Sequence, residues 1–212
     1  MRKITLICSL HRENGLCTAD ELLRILRVID PEVIFGEVTQ SDRCFYDPRS
    51  LEGKAVTRFL AWKSSCKLVP VDRYDVPPNL RAVSGAVFDF VEEASEEYQQ
   101  LLEQRHHGTN LKGFAYLNSA DLTRHMTRMA EIEDETIKSS GNPDLVRGLT
   151  TWRQVTRGRE NAMVTNIDRY CTENVFDQGV FLVGAAHRSG LGKIIEEFSI
   201  ANDARIAWKI DL

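Results

Sequence analysis

The sequence predicts an α/β protein with a mostly parallel sheet, flanking helices and a helical insertion between the two halves of the sheet. Three observations predict it. Apolar, β-branched runs alternate with amphipathic stretches over residues 4–72, a long helical middle lacks such runs, and the strand pattern returns near residue 180. We read residues 1–212 as a single α/β domain with the insertion at about 79–175.

The first element is "ITLICSL" (Ile4–Leu10), a nearly continuous apolar run that suits a strand buried on both faces. "TADELLRILRVI" (Thr18–Ile29) follows, with Thr18 and Glu21 at capping-box spacing and an apolar stripe at Leu22, Leu23, Leu26 and Ile29. Pro31 ends that helix, and "EVIFGE" (Glu32–Glu37) reads as a second buried strand. Strand, helix and strand at this spacing form a βαβ unit with parallel strands. "SLEGKAVTRFLAWKSS" (Ser50–Ser65) reads as the next helix, weakened at its start by Gly53, and "CKLVPVD" (Cys66–Asp72) as the third strand. The insertion reads as helices near Leu80–Gln104, Ser119–Lys138 and Pro143–Thr172, with breaks at "HHGTN" and "SSGNP". "GVFLVGAA" (Gly179–Ala186), a helix near Leu191–Ala201 and "RIAWKI" (Arg205–Ile210) complete the sheet.

Composition narrows the class. The chain has 212 residues, 42% hydrophobic and 27% charged, which is a globular balance large enough for one substantial core. The net charge of −4 argues against nucleic acid and anionic membrane as partners. Five cysteines at irregular spacing, with no C-x-x-C pair, fit a reducing compartment and a cytoplasmic location. "MRKITLICSL" is too short a run for a signal peptide and is followed by "HRENG", and no stretch has the roughly 20 apolar residues of a membrane span. Oligomeric state is not encoded in any readable pattern.

In an open parallel sheet, ligands bind beyond the carboxyl ends of the strands. The residues at those ends are His11, with Glu13 close by, then Glu37, Asp72 and His187. Topology gathers these imidazoles and carboxylates without sequence adjacency. Gly184 and Gly190–Gly192 allow close backbone approach there, and a helix starting near Ser189–Leu191 would aim its N-terminal amides into the same crevice. A second group is "RGRENAM" (Arg157–Met163), where Arg157, Glu160, Asn161 and Val164 share one helical face and Arg159 points elsewhere. His106 and His107 read as a helix end, and His125 has no acidic partner at metal-ligand spacing. Signatures for dinucleotides, P-loop phosphates, zinc and the nucleophile elbow are all missing, Ser9 is the one serine near the cluster, and Cys8 reads as a packed strand residue.

Taken in order, "CSLH", "PEVIFGE", "KLVPVDR", "RGRENAM" and "FLVGAAHRSGL" resemble the superfamily that includes TraB/PrgY, Tiki and GumN-type proteins, haem-binding ChaN and erythromycin esterase. The likeness spans nearly the whole chain, and its most specific part is Gly184–His187 followed by Ser189–Leu191. Two departures are visible. Cys8 stands where the first motif has glycine, and the helix motif is not in its usual order. The resemblance implies a centre of His11, Glu37 and His187, with Arg157 or Arg159 and Glu160 lining it.

The expected function is a hydrolase acting on a peptide, ester or lactone carbonyl of a small-molecule or peptide substrate. In the metal form, His11, Glu37 and His187 hold a divalent ion that activates water, Glu160 or Asp72 takes the proton, and an arginine steadies the oxyanion. In the metal-free form a histidine is the general base, with Glu37 fixing its tautomer. The alternatives are a non-catalytic protein binding haem or another small ligand, and a regulatory module on the same fold. Loop Thr39–Pro48 and the insertion would set specificity.

Overall fold

The structure is a computed structural model, which describes residues 1–39, 47–73, 76–201 and 205–210. Five strands form one parallel sheet in the order β3-β2-β4-β1-β5. They are β1 (Arg2–Ser9), β2 (Val33–Gly36), β3 (Lys67–Pro70), β4 (Gln178–Gly184) and β5 (Ile206–Lys209). Helices α1 (Ala19–Ile29) and α2 (Leu51–Trp62) connect the first three strands, and α8 (Arg188–Ala201) connects the last two. Between β3 and β4 run α3 (Leu80–Ala94), α4 (Glu96–Lys112), α5 (Phe114–Leu117), α6 (Ala120–Ser140) and α7 (Pro143–Glu173). Among the described residues no helix is long and apolar enough to cross a membrane.

The α/β class and parallel strands are as the sequence predicts. From β1 the chain moves toward β2 and β3, whereas from β4 it moves the opposite way toward β5. Right-handed crossovers in opposite directions put α1 and α2 on one face and α8 on the other. Accordingly α1 packs on α2, and α8 packs on α7 and α6. The reversal lies between β1 and β4, where Ser9 is level with Gly184. A crevice must open at that point.

Local chemistry explains the element ends. Thr18 accepts the Glu21 N–H at 3.2 Å to start α1, and Asp30 closes it in the left-handed region at φ 51°. Ser50 caps α2 by accepting the Gly53 N–H at 2.9 Å. Gly53 does not weaken that helix. A Cβ there would lie 2.0 Å from the Asp47 carbonyl, so glycine allows the preceding turn to close. Strand β5 pairs only with Arg2–Thr5, which leaves the last residues of β1 without a neighbour on that side. Asn118, buried after α5, fills the gap. Its Oδ1 accepts the Cys8 N–H at 2.7 Å and its Nδ2 donates to the Cys8 carbonyl at 3.1 Å. Both Cys8 backbone groups are thereby satisfied on the side that β5 leaves open.

The helical middle departs from expectation in its breaks. The expected helix Leu80–Gln104 divides at Ser95, whose side chain caps α4 on the Tyr98 N–H at 3.2 Å. Helix α4 continues through His106–Asn110 and stops at Gly113 (φ 52°). Gly108 is a packing residue, since a Cβ there would lie 2.8 Å from the Tyr116 ring. A second apolar cluster joins these helices through Val87, Val91, Tyr98, Leu101, Met129, Ile132, Ile137 and Leu149. The main core takes Phe114, Tyr116, Leu117 and Leu122 along with the second half of α7. The insertion thus has its own core and is also anchored to the sheet.

Candidate functional site

Glu37 follows β2 directly. Its Oε2 accepts the Gly184 N–H at 2.6 Å, and a Cβ at Gly184 would sit 3.1 Å from that oxygen. Glycine therefore lets the carboxylate lie against the end of β4. Oε1 is met by Arg159 Nη2 at 2.7 Å and by His187 Nε2 at 3.3 Å. A 3-10 turn over Ala185–His187 folds the imidazole back beneath the strand ends, where it is 5% exposed. Its Nδ1 lies 3.0 Å from Glu160 Oε1. Gly190 makes room for that acid, because a Cβ there would fall 2.1 Å from Glu160 Oε2. Arg159 extends the chain of charges, donating to Asp72 from Nε at 3.2 Å and from Nη2 at 2.6 Å.

Groups from β2, β3, β4 and α7 thus form one connected series, Glu160–His187–Glu37–Arg159–Asp72. Burial opposes charge on His187, but its bonds to Glu160 and Glu37 outweigh that cost and raise its pKa to about 9. Burial also opposes charge on Glu37, and His187, the Gly184 amide and Arg159 together bring it down to about 2. The site is therefore an ion-paired network at neutral pH.

His11 belongs to a second group beside the first. Glu52, in the first turn of α2, is 2% exposed. Its Oε1 accepts the Ser9 hydroxyl at 2.8 Å and lies 3.2 Å from His11 Nδ1. The Leu51 N–H donates to the His11 carbonyl at 3.0 Å, tying α2 to the end of β1. Glu52 Oε2 is buried without a hydrogen-bond partner. The His11 side chain is 76% exposed, so the ring presents its other edge to solvent. Its hydrogen bond to Glu52 raises its pKa, and the charges of Glu37 and Arg159 also act on it. Neither Ser9 nor Glu52 was marked by a sequence motif. A glutamate in a helix's first turn looks like ordinary dipole complementation.

Of the residues expected from sequence, His187 meets Glu37 and Glu160 directly, Asp72 joins them through Arg159, and His11 stands nearby on Glu52. Arg157 does not join them. It pairs with Glu197 of α8 at 3.3 Å on the surface, and of the two arginines expected to line the centre it is Arg159 that does so. Glu13 caps α1 by accepting the Ala19 N–H at 2.9 Å. His125 bonds the Tyr116 hydroxyl at 2.8 Å, away from this network. Cys8 is fully buried with its thiol pushed up to about 11 by burial, so it packs. Most of loop Thr39–Pro48 lies outside the described residues.

A divalent ion held by His11, Glu37 and His187 does not fit this donor set. Both His187 nitrogens face carboxylates, and an imidazolium has no lone pair for a metal. Among the described residues no group of three or more His, Cys, Asp or Glu side chains is disposed to hold one.

Next to the network opens a cleft of about 840 Å³ between the strand ends and the insertion. Glu37, Asp72 and Arg159 form its polar wall, and α3 and Trp152 of α7 form the opposite one. The class defined by fold and site is a parallel α/β protein with a charged histidine–carboxylate–arginine network at its topological switch point. Comparison of the chain with protein-family models, with curated proteins and with solved structures finds no match.

Proposed function

We propose that the protein is a metal-independent hydrolase of small carbonyl compounds, in which His11 is the general base. The observation that carries this reading is the His11–Glu52 pair. A buried carboxylate takes Nδ1, so the exposed Nε2 is left in the tautomer that accepts a proton. In the first step His11 Nε2 removes a proton from water as the water oxygen bonds to the carbonyl carbon. Arg159 Nη1, which has no hydrogen-bond partner among the described residues, donates one N–H to the oxyanion in this scheme. Collapse of the tetrahedral species expels the alcohol or amine, which takes the proton back from His11. The His187 series holds Arg159 in place through Glu37 and Asp72.

Further support comes from the orphaned Glu52 oxygen, since a buried unsatisfied acceptor costs about 1–3 kcal/mol and persists where function requires it. The order of strand-end residues supports membership of the TraB–Tiki–erythromycin esterase superfamily as part of the same proposal. A cytoplasmic location accords with the free, buried state of Cys8, Cys17, Cys66 and Cys171.

The test is a panel of activated esters and lactones with wild type, His11→Ala and Glu52→Gln. Turnover should survive exhaustive chelation and fall by at least about 100-fold in His11→Ala. The acidic limb of its pH profile should lie above 6.5 and move down in Glu52→Gln. Undiminished turnover in His11→Ala, or loss on chelation, would contradict the reading.

A further inference from the structure

We propose that the cleft beside Arg159 recognises a carboxylate carried on an aromatic body. This names the substrate class of the hydrolase above and rests on that reading only for what happens after binding.

The charge in the cleft is the first support. Glu37 and Asp72 are already committed, since Glu37 binds Arg159, His187 and the Gly184 amide, and Asp72 binds Arg159 and the Arg73 amide. Arg159 Nη1 carries two N–H groups, so with one serving the oxyanion the other remains for a ligand carboxylate. The Arg81 guanidinium, carried by α3 at the wall of the same cleft, makes no ion pair or hydrogen bond among the described residues. Two guanidinium groups without a carboxylate partner for these donors favour an anion with planar, two-oxygen geometry.

The far wall is the second support. Phe88 and Trp152 stand edge to face with centroids 5.6 Å apart, and the volume of about 840 Å³ suits a small organic ligand.

Gly85 is the third. It lies inside α3, where glycine is unfavourable relative to alanine. Gly148 on α7 has a packing reason, because a Cβ there would come within 2.8 Å of Val87. Gly85 has none: a Cβ would meet nothing within 4 Å. The residue lines the cleft, so what its missing side chain preserves is ligand space.

Calorimetric titration with 2-naphthoate and its neutral isostere 2-naphthamide tests this. Naphthoate should saturate at one per chain and bind at least about tenfold tighter than the amide, through its charge-assisted bonds. Gly85→Leu should weaken naphthoate by at least about tenfold with an unchanged or higher Tm. Arg81→Gln, an exposed change, should weaken naphthoate about three- to tenfold and leave the amide unaffected. Equal binding of acid and amide, or full affinity in Gly85→Leu, would overturn the proposal. The two readings fail separately. Naphthoate binding without ester turnover removes the hydrolase and keeps the pocket, whereas turnover with a KM insensitive to Gly85→Leu does the reverse.

Discussion

Helix α7 belongs to two different environments. Its first half carries Gly148 and Leu149 into the helical cluster and holds its charges at the surface, where Arg147 pairs with Asp144 and Arg153 with Asp134. Its second half buries Glu160, Met163, Val164 and Ile167 against the sheet and carries Arg159 into the charged network. The same ionic chemistry therefore has opposite consequences along one helix. Exposed pairs are worth about 0–1 kcal/mol because water competes for both partners. A buried charge that loses its partner costs about 3–5 kcal/mol.

Glu37→Ala should show the largest effect. It takes one of two carboxylate partners from each of His187 and Arg159 and leaves the Gly184 N–H without its acceptor, and urea denaturation should report a loss of about 3–5 kcal/mol. Asp144→Ala, at the other end of α7, should stay within about 0.5 kcal/mol. If both variants lost similar stability, the contrast between the two halves would collapse.

Asn118→Ala ranks next. It leaves the Cys8 N–H and carbonyl buried without partners, for an expected loss of about 2–4 kcal/mol. A near-neutral result would mean that the short β5 does not need this clamp.

The pH dependence of stability sharpens the comparison further. His187 has its folded pKa raised, so its contribution is complete below about 6.5 and is lost as pH rises toward about 9. Glu37 has its folded pKa lowered, so its contribution is complete above about 4.5 and is lost as pH falls toward about 2. Wild type should lose on the order of 2 kcal/mol between pH 6.5 and 9. His187→Gln should lack that alkaline decline, as chemical denaturation across the range would show.

Arg157→Ala should have the smallest effect, within about 0.5 kcal/mol and without change in ligand binding. Arg159→Ala should abolish turnover. Equal effects would return Arg157 to the site.

The sheet half was largely legible in the sequence because buried strands and capped helices leave strong periodic signals. Its strand ends pointed to Glu37, Asp72 and His187 for the same reason. The insertion was harder to read. Gly108 looks like a break but seats a tyrosine ring, while Ser95, followed by two glutamates, is the true start of a helix. Glu52 was invisible because it lies 41 residues from its histidine and on another element. Arg159 lies off the helical face of Arg157 and Glu160, and helical spacing alone gives no sign that its guanidinium meets Glu37 and Asp72. Asn118 answers a shortfall in strand pairing that only the register of β5 reveals.

The central claim is that His187 is an imidazolium clasped by Glu37 and Glu160. Long-range proton–nitrogen NMR of the imidazole rings at pH 7.5, assigned with His187→Gln, tests it directly. Both His187 nitrogens should carry protons and hold them until about pH 9. A neutral His187 ring with one bare nitrogen at that pH would contradict the account.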